Sequence, residues 1–128
     1  MAPTDAAVWV ALGQTRAAEK KLDDAAAAYA TAIEIDPLDE EAAAGLAATL
    51  RAQGKLAEAE ATLTKSLSSI AKSPVLWNNL GVVRVERGQY AQAVDAFQKA
   101  LAIDGGFEAA KANLARASEL AGLDRAAS

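Results

Sequence analysis

From residue 77 onward the small and non-polar positions fall at helical spacing. Trp77, Leu80, Gly81 and Arg84 stand at i, i+3, i+4 and i+7, which is one face of a helix. Ala93, Phe97 and Ala100 stand at i, i+4 and i+7, one face of a second helix. Gly88 between them sits where a helix C-cap needs a left-handed residue. Sixty-eight residues upstream, Trp9, Leu12, Gly13, Ala25 and Tyr29 keep the same spacings. Half that interval, 34 residues, fills the gap between the two copies. One column reads Leu12, Leu46, Leu80 and Leu114, and beside it stand Gly13, Ala47, Gly81 and Ala115. A later column reads Tyr29, Leu63 and Phe97, and the turn column reads Lys20, Gly54 and Gly88.

The register needs no insertion or deletion, so the pattern predicts three helix–turn–helix units over roughly 6–39, 40–73 and 74–107. A single helix over about 108–121 follows, then a short tail, 122–128, all within one domain over 1–128. Helix starts are marked by Thr4 or Asp5, by Asp39 with Glu40 and Glu41, and by Ser73-Pro74. Asp36-Pro37 stops the second helix, because the residue before a proline avoids the helical region. The columns that never grow large are read as contacts between closely approaching helix backbones.

Trp77, Leu80, Gly81, Ala93, Phe97 and Ala100, with Trp9, Leu12, Gly13, Ala25, Tyr29, Ala32 and Pro37, resemble the tetratricopeptide repeat (TPR) signature. The resemblance covers about 6–121 and implies an all-α, right-handed superhelical solenoid of three repeats and a capping helix. Departures concentrate in the middle repeat. Ala43 replaces a Trp, Leu50 a usual Tyr, and Ala71 a Pro, while Arg16, Arg84 and Gly105 depart in the flanking units. The middle repeat is therefore expected to be the least stable unless Leu46, Leu50 and Leu63 close the gap.

The resemblance also implies that the first helix of each unit lines a concave face that binds partner peptides. Projected onto this chain, that groove is mainly alanine and valine, with Val10, Gln14, Arg51, Asn78, Asn79, Val82, Val85, Glu86, Asn113 and Arg116 as its candidate binding residues. Asn79 and Asn113 match a groove asparagine that in the family hydrogen-bonds partner backbone, which an amide can do as both donor and acceptor. A solvated or locally bonded amide remains the other reading of both, and Asn78 is expected to be exposed. Arg51 and Arg116 are read as solvated charges or as groups that set register, together with Glu86. Chaperone-binding members hold a C-terminal carboxylate with lysine, arginine and asparagine; the matching places here are Val10, Gln14, Gly45, Val75 and Asn79. That cluster is mostly missing, so a chaperone tail is not the expected ligand. An amphipathic helix or an extended apolar peptide suits the trough better.

Composition narrows the chemistry. Of 128 residues, 35 are alanine, which carries most of the 52% hydrophobic content and agrees with an all-α chain. The formal charge is −4 with no basic block, so nucleic-acid binding is not expected. No cysteine and no histidine is present, which removes disulfides, thiolate and imidazole chemistry, and Cys/His metal sites. The acid-rich stretch from Glu34 to Glu41 lacks the glycine and the oxygen spacing of a calcium loop, and its acids suit helix N-termini. Ser66, Ser68 and Ser69 near Lys65 and Lys72 fall at the end of a repeat helix and make no catalytic constellation. No enzyme activity, metal or cofactor is expected.

Trp9, Trp77, Tyr29, Tyr90 and Phe97 are read as packing residues, because they occupy the repeat's own core columns. No apolar run is long enough to span a bilayer, and "MAPTDAAV" lacks the features of a leader. A soluble, cytoplasmic protein is expected, with the periplasm open if a leader has been removed. The alanine content suits a bacterium of high GC content.

Two functions follow from these readings. The first is an interaction module that binds a partner's peptide or helix in the groove. The second is a self-assembling scaffold, since solenoid ends expose apolar surface unless capped. The resemblance of Gly122–Ser128 to the opening of another second helix leaves a longer array open.

Overall fold

The structure is a computed structural model that describes residues 4–127. It contains α1 (Ala6–Ala18), α2 (Leu22–Ile35), α3 (Glu40–Ala52), α4 (Leu56–Ser69), α5 (Pro74–Glu86), α6 (Tyr90–Ile103) and α7 (Glu108–Ala127). There is no strand among the described residues. The odd-numbered helices begin at residues 6, 40, 74 and 108, and the even-numbered ones at 22, 56 and 90. The 34-residue period of the sequence is therefore the period of the fold.

The two kinds of helix start by different means. Asp5, Asp39 and Ser73 cap α1, α3 and α5, each side chain accepting from a backbone N–H two or three residues on at 2.9–3.0 Å. Pro74 occupies the first turn of α5. The helices α2, α4 and α6 begin after Lys21, Lys55 and Gln89, none of which makes a side-chain cap bond. Their entry is set by the turn instead. Lys20, Gly54 and Gly88 adopt φ of 61°, 77° and 76°. The following N–H then bonds back to the carbonyl of Arg16, Leu50 or Arg84 at 2.8–2.9 Å, closing each preceding helix. Lys20 does this with a Cβ, at a cost of about 1–2 kcal/mol that the two glycines avoid.

One expectation is corrected here. The last helix does not stop near 121. Gly122 falls in the turn column but lies inside α7, so residues 122–127 are helical rather than a tail. Leu123, Arg125, Ala126 and Ala127 are strong helix formers, and α7 has no paired second helix among the described residues to fold back on. Ser128 lies outside the described residues, as do residues 1–3 of the stretch read for a leader. The chain forms two compact units, Met1–Ala71 and Lys72–Ser128. In a repeat fold each repeat packs on its neighbours, so no single central core is required.

In the first unit α1, α2 and α3 enclose Val10, Ala25, Tyr29, Ala32 and Ala42, with Trp9 and Leu46 packed against them. The Tyr29 ring lies against the backbone of both Gly13 and Gly45. A methyl group at Gly13 would stand 2.8 Å from Tyr29 Cε1, and one at Gly45 would come closer still. In the middle repeat Ala43, Leu50 and Leu63 are buried, and Leu46 is partly buried. In the second unit Ala93, Phe97 and Ala117 form the centre, flanked by Val82, Val85, Val94 and Leu114. Phe97 fills the space above Gly81, where a methyl group would collide with its ring. Trp77 is partly buried, with Lys99 Nζ 4.7 Å from its ring centroid.

Candidate functional site

The first helices of each unit carry the candidate binding residues, and their surroundings follow from the helical register. In the first unit α1 and α3 lie side by side. Gln14 Nε2 donates to Glu41 Oε1 at 2.6 Å, tying the two exposed faces together. Val10, expected on the binding surface, is instead 4% exposed and belongs to the core. Its side chain lies on the same side of α1 as Ala6 and Gly13, which are also buried. Arg51 is exposed near the end of α3, where its charge complements the helix dipole. Beneath this face the Tyr29 hydroxyl is held above its ordinary pKa, first by burial and then by the negative charge of Glu41.

The second unit brings more of the candidates together. Asn113 Nδ2 of α7 donates to Asn78 Oδ1 of α5 at 3.1 Å. Asn78, expected to be exposed, is 9% exposed, and its oxygen finds the partner a buried amide requires. Asn79, the next residue, is partly buried and takes no part in the side-chain hydrogen bonds found among the described residues. Val82 and Val85 are partly buried and packed against the Phe97 cluster, so they contribute to the core as well as to the surface. Glu86 is exposed at the end of α5. Arg116 is exposed and pairs with Glu119 at 3.5 Å, one turn along its own helix.

The amide pair was the feature that sequence reasoning read wrongly. Its column runs Val10, Ala44, Asn78 and Ala112, so an asparagine replaces apolar residues at a place that buries Val10. The sequence shows an asparagine in an apolar column; that the position is buried and its amide bonded is seen only in the structure. The projected groove face of α3 also includes Glu41, and the packing of α3 beside α1 makes it the partner of Gln14. No cluster of potential metal ligands occurs among the described residues.

A family model, the TPR domain of cytochrome c-type biogenesis protein H, matches residues 1–105. The chain belongs to this family. Its fold is accordingly an all-α TPR solenoid. No curated protein matches the chain. Among solved structures, the first TPR domain of human RPAP3 is similar with a TM-score of 0.90 and 17% identity, covering 99% of this chain and 100% of that one. The Sgt2 TPR domain from Aspergillus fumigatus gives 0.86 at 22% identity, covering 96% of this chain and 83% of that one. The first TPR of Spaghetti (RPAP3), solved bound to the HSP90 peptide SRMEEVD, gives 0.84 at 18%, covering 92% and 94%. At these identities the likeness establishes the TPR fold. Among the described residues of this TPR chain, no helix is long and apolar enough to cross a membrane.

Proposed function

We propose that the domain is a protein-interaction module, not an enzyme, that binds a peptide or amphipathic helix of a partner on the faces of its first helices. Membership of the TPR family supports the general reading, as does the capture of an HSP90 peptide by a domain of the same fold. The observation that carries it to particular residues is the amide arrangement of α5 and α7. Asn78 spends its oxygen on Asn113, which holds the Asn113 side chain in place with its own oxygen still able to accept. Asn79 presents a second, uncommitted amide beside it. Two fixed amides flanked by Val82 and Val85 offer a partner backbone hydrogen bonds next to apolar contact. Val75, Val10, Gly45, Gln14 and Asn79 hold no positive charge, so the reading includes weak or absent binding of acidic tails such as SRMEEVD.

The family's name directs the first search for partners to the polypeptides of cytochrome c-type biogenesis. Overlapping peptides of an apocytochrome c, titrated into the isotope-labelled domain, test this. Binding should shift the Asn79 and Asn113 side-chain amides, and Asn79→Ala should weaken it about fivefold, the effect of one hydrogen bond. Val82→Glu is the less clean variant because Val82 also packs on the core. Unchanged affinity in Asn79→Ala, with helicity retained, would remove the amides from the site.

A further inference from the structure

The first unit has a second recess, between α2 and α4 rather than on the α1–α3 face. It consists of two contiguous lobes of about 640 and 310 Å³ that share Ala30, Leu46 and Thr62. One wall is α2, with Ala26, Ala27 and Ala30; the other is α4, with Ala61 and Thr62; Leu46 and Leu50 of α3 form the floor. The lining runs from Asp23 to Pro37, about 20 Å at 1.5 Å per residue. The alanine wall is particular to this repeat. Where α2 has Ala26 and Ala30, α4 has Glu60 and Thr64, and α6 has Val94 and Gln98. The shortened side chains of α2 leave the trough open.

We infer that this trough is a docking site for an amphipathic α-helix of a partner protein. The walls and floor are surfaces of helices whose backbone groups are already bonded internally. Along the apolar centre, Ala26, Ala27, Ala30, Leu46, Leu50 and Ala61, an extended peptide would find no side-chain or backbone partner for its own backbone. Polar side chains such as Gln53, Ser68 and Ser69 stand toward the ends. A helix brings its hydrogen bonds with it. Small residues on the wall allow the backbone of an incoming helix to approach closely.

The charges fix the kind of helix. Glu34 on the α2 side and Lys65 on the α4 side line the same lobe, and neither belongs to an ion pair among the described residues. At the other end Asp23, which takes a hydrogen bond from Gln53, lines the α2 side, while Lys55 and Glu58 both line the α4 side. The matching occupant has an apolar stripe, basic residues on the flank facing Asp23 and Glu34, and acidic residues where it faces Lys65. This surface shares no residue with the α5–α7 amides, so either can fail without the other.

The probe is a synthetic 18-residue helix with leucines along one stripe, lysines on one flank and glutamates on the other. Two controls accompany it, one with a central proline and one with glutamines on both flanks. The helix should bind saturably and shift the amide resonances of Ala30, Leu46 and Thr62 in the labelled protein. Ala30→Leu or, independently, Ala61→Leu should fill the trough and weaken binding at least tenfold with the far-ultraviolet spectrum unchanged. The proline peptide should not bind, and the glutamine-flanked one should bind several-fold more weakly. Asn79→Ala should leave this affinity alone. Absence of saturable binding, equal binding of the proline peptide, or shifts confined to Asn79 and Asn113 would each overturn the inference.

Discussion

The two compact units use one repeat frame and fill it differently. In the first, a tyrosine spans two glycines: the Tyr29 ring occupies the space left by Gly13 and by Gly45 of the next repeat. In the second, Phe97 sits over Gly81 alone, and the neighbouring first helices are joined by an amide pair instead. Across α1 and α3 the corresponding link is the exposed Gln14–Glu41 hydrogen bond. The contrast separates two jobs of a repeat. Aromatic-on-glycine contacts hold the helix pair together in both units. The links between successive first helices vary, and that is where one unit buries amides and the other exposes charge.

Several changes would break or sharpen this comparison, beginning with the aromatic contacts. Phe97→Ala removes a side chain that is 1% exposed and should cost about 3–5 kcal/mol, with Tyr29→Ala falling in the same range. Urea unfolding reads both. Each substitution should lower the amide-exchange protection of its own compact unit first. Equal loss of protection in both would show that the chain unfolds as one.

The inter-helix links come next. Asn113→Ala strips a partly buried partner from the Asn78 oxygen and should cost about 1–3 kcal/mol. Gln14→Ala, at the exposed link, should stay within about 0.5 kcal/mol. Replacing both amides, Asn78→Val with Asn113→Ala, should recover most of the loss, because no buried polar group is left unpaired. A double-mutant cycle that finds no coupling would mean the bond contributes nothing beyond its geometry.

The smallest effect belongs to Tyr29. Its phenol is held above the usual tyrosine value in the folded state, so the folded protein holds that proton more tightly than the unfolded chain. Stability is unaffected by this group at neutral pH and should fall as pH rises past about 10, where the unfolded tyrosine ionises first. Tyr29→Phe should flatten that alkaline decline while changing little at pH 7. Denaturation midpoints between pH 7 and 11 provide the check, and an identical decline in both proteins would assign it elsewhere.

Much of this was legible in the chain. The 34-residue period placed every helix start, and the side-chain caps at Asp5, Asp39 and Ser73 fell on residues that sequence reasoning had named. These are local matters: a cap or a left-handed turn depends on a few adjacent residues, and periodicity repeats them. Gly122 shows the limit of such reasoning. It stands in the turn column, yet a turn there requires a second helix to fold back, and none pairs with α7 among the described residues. The candidate site was read less well, because groove positions were projected from helical phase alone. Phase puts Val10 and Asn78 in one column, but it does not say which neighbouring helix covers that column. The structure buries both, one as hydrocarbon and one as a bonded amide.

The sequence by itself determined the all-α class, the repeat length, the turns, and which columns must stay small. These follow from propensity and period, which act within a turn or two of helix. Only the tertiary structure decided that Asn78 is bonded to Asn113, that Gln14 meets Glu41, and that an alanine wall on α2 stands opposite α4. Those outcomes depend on distances between helices tens of residues apart in the chain, and packing fixes such distances where periodicity cannot.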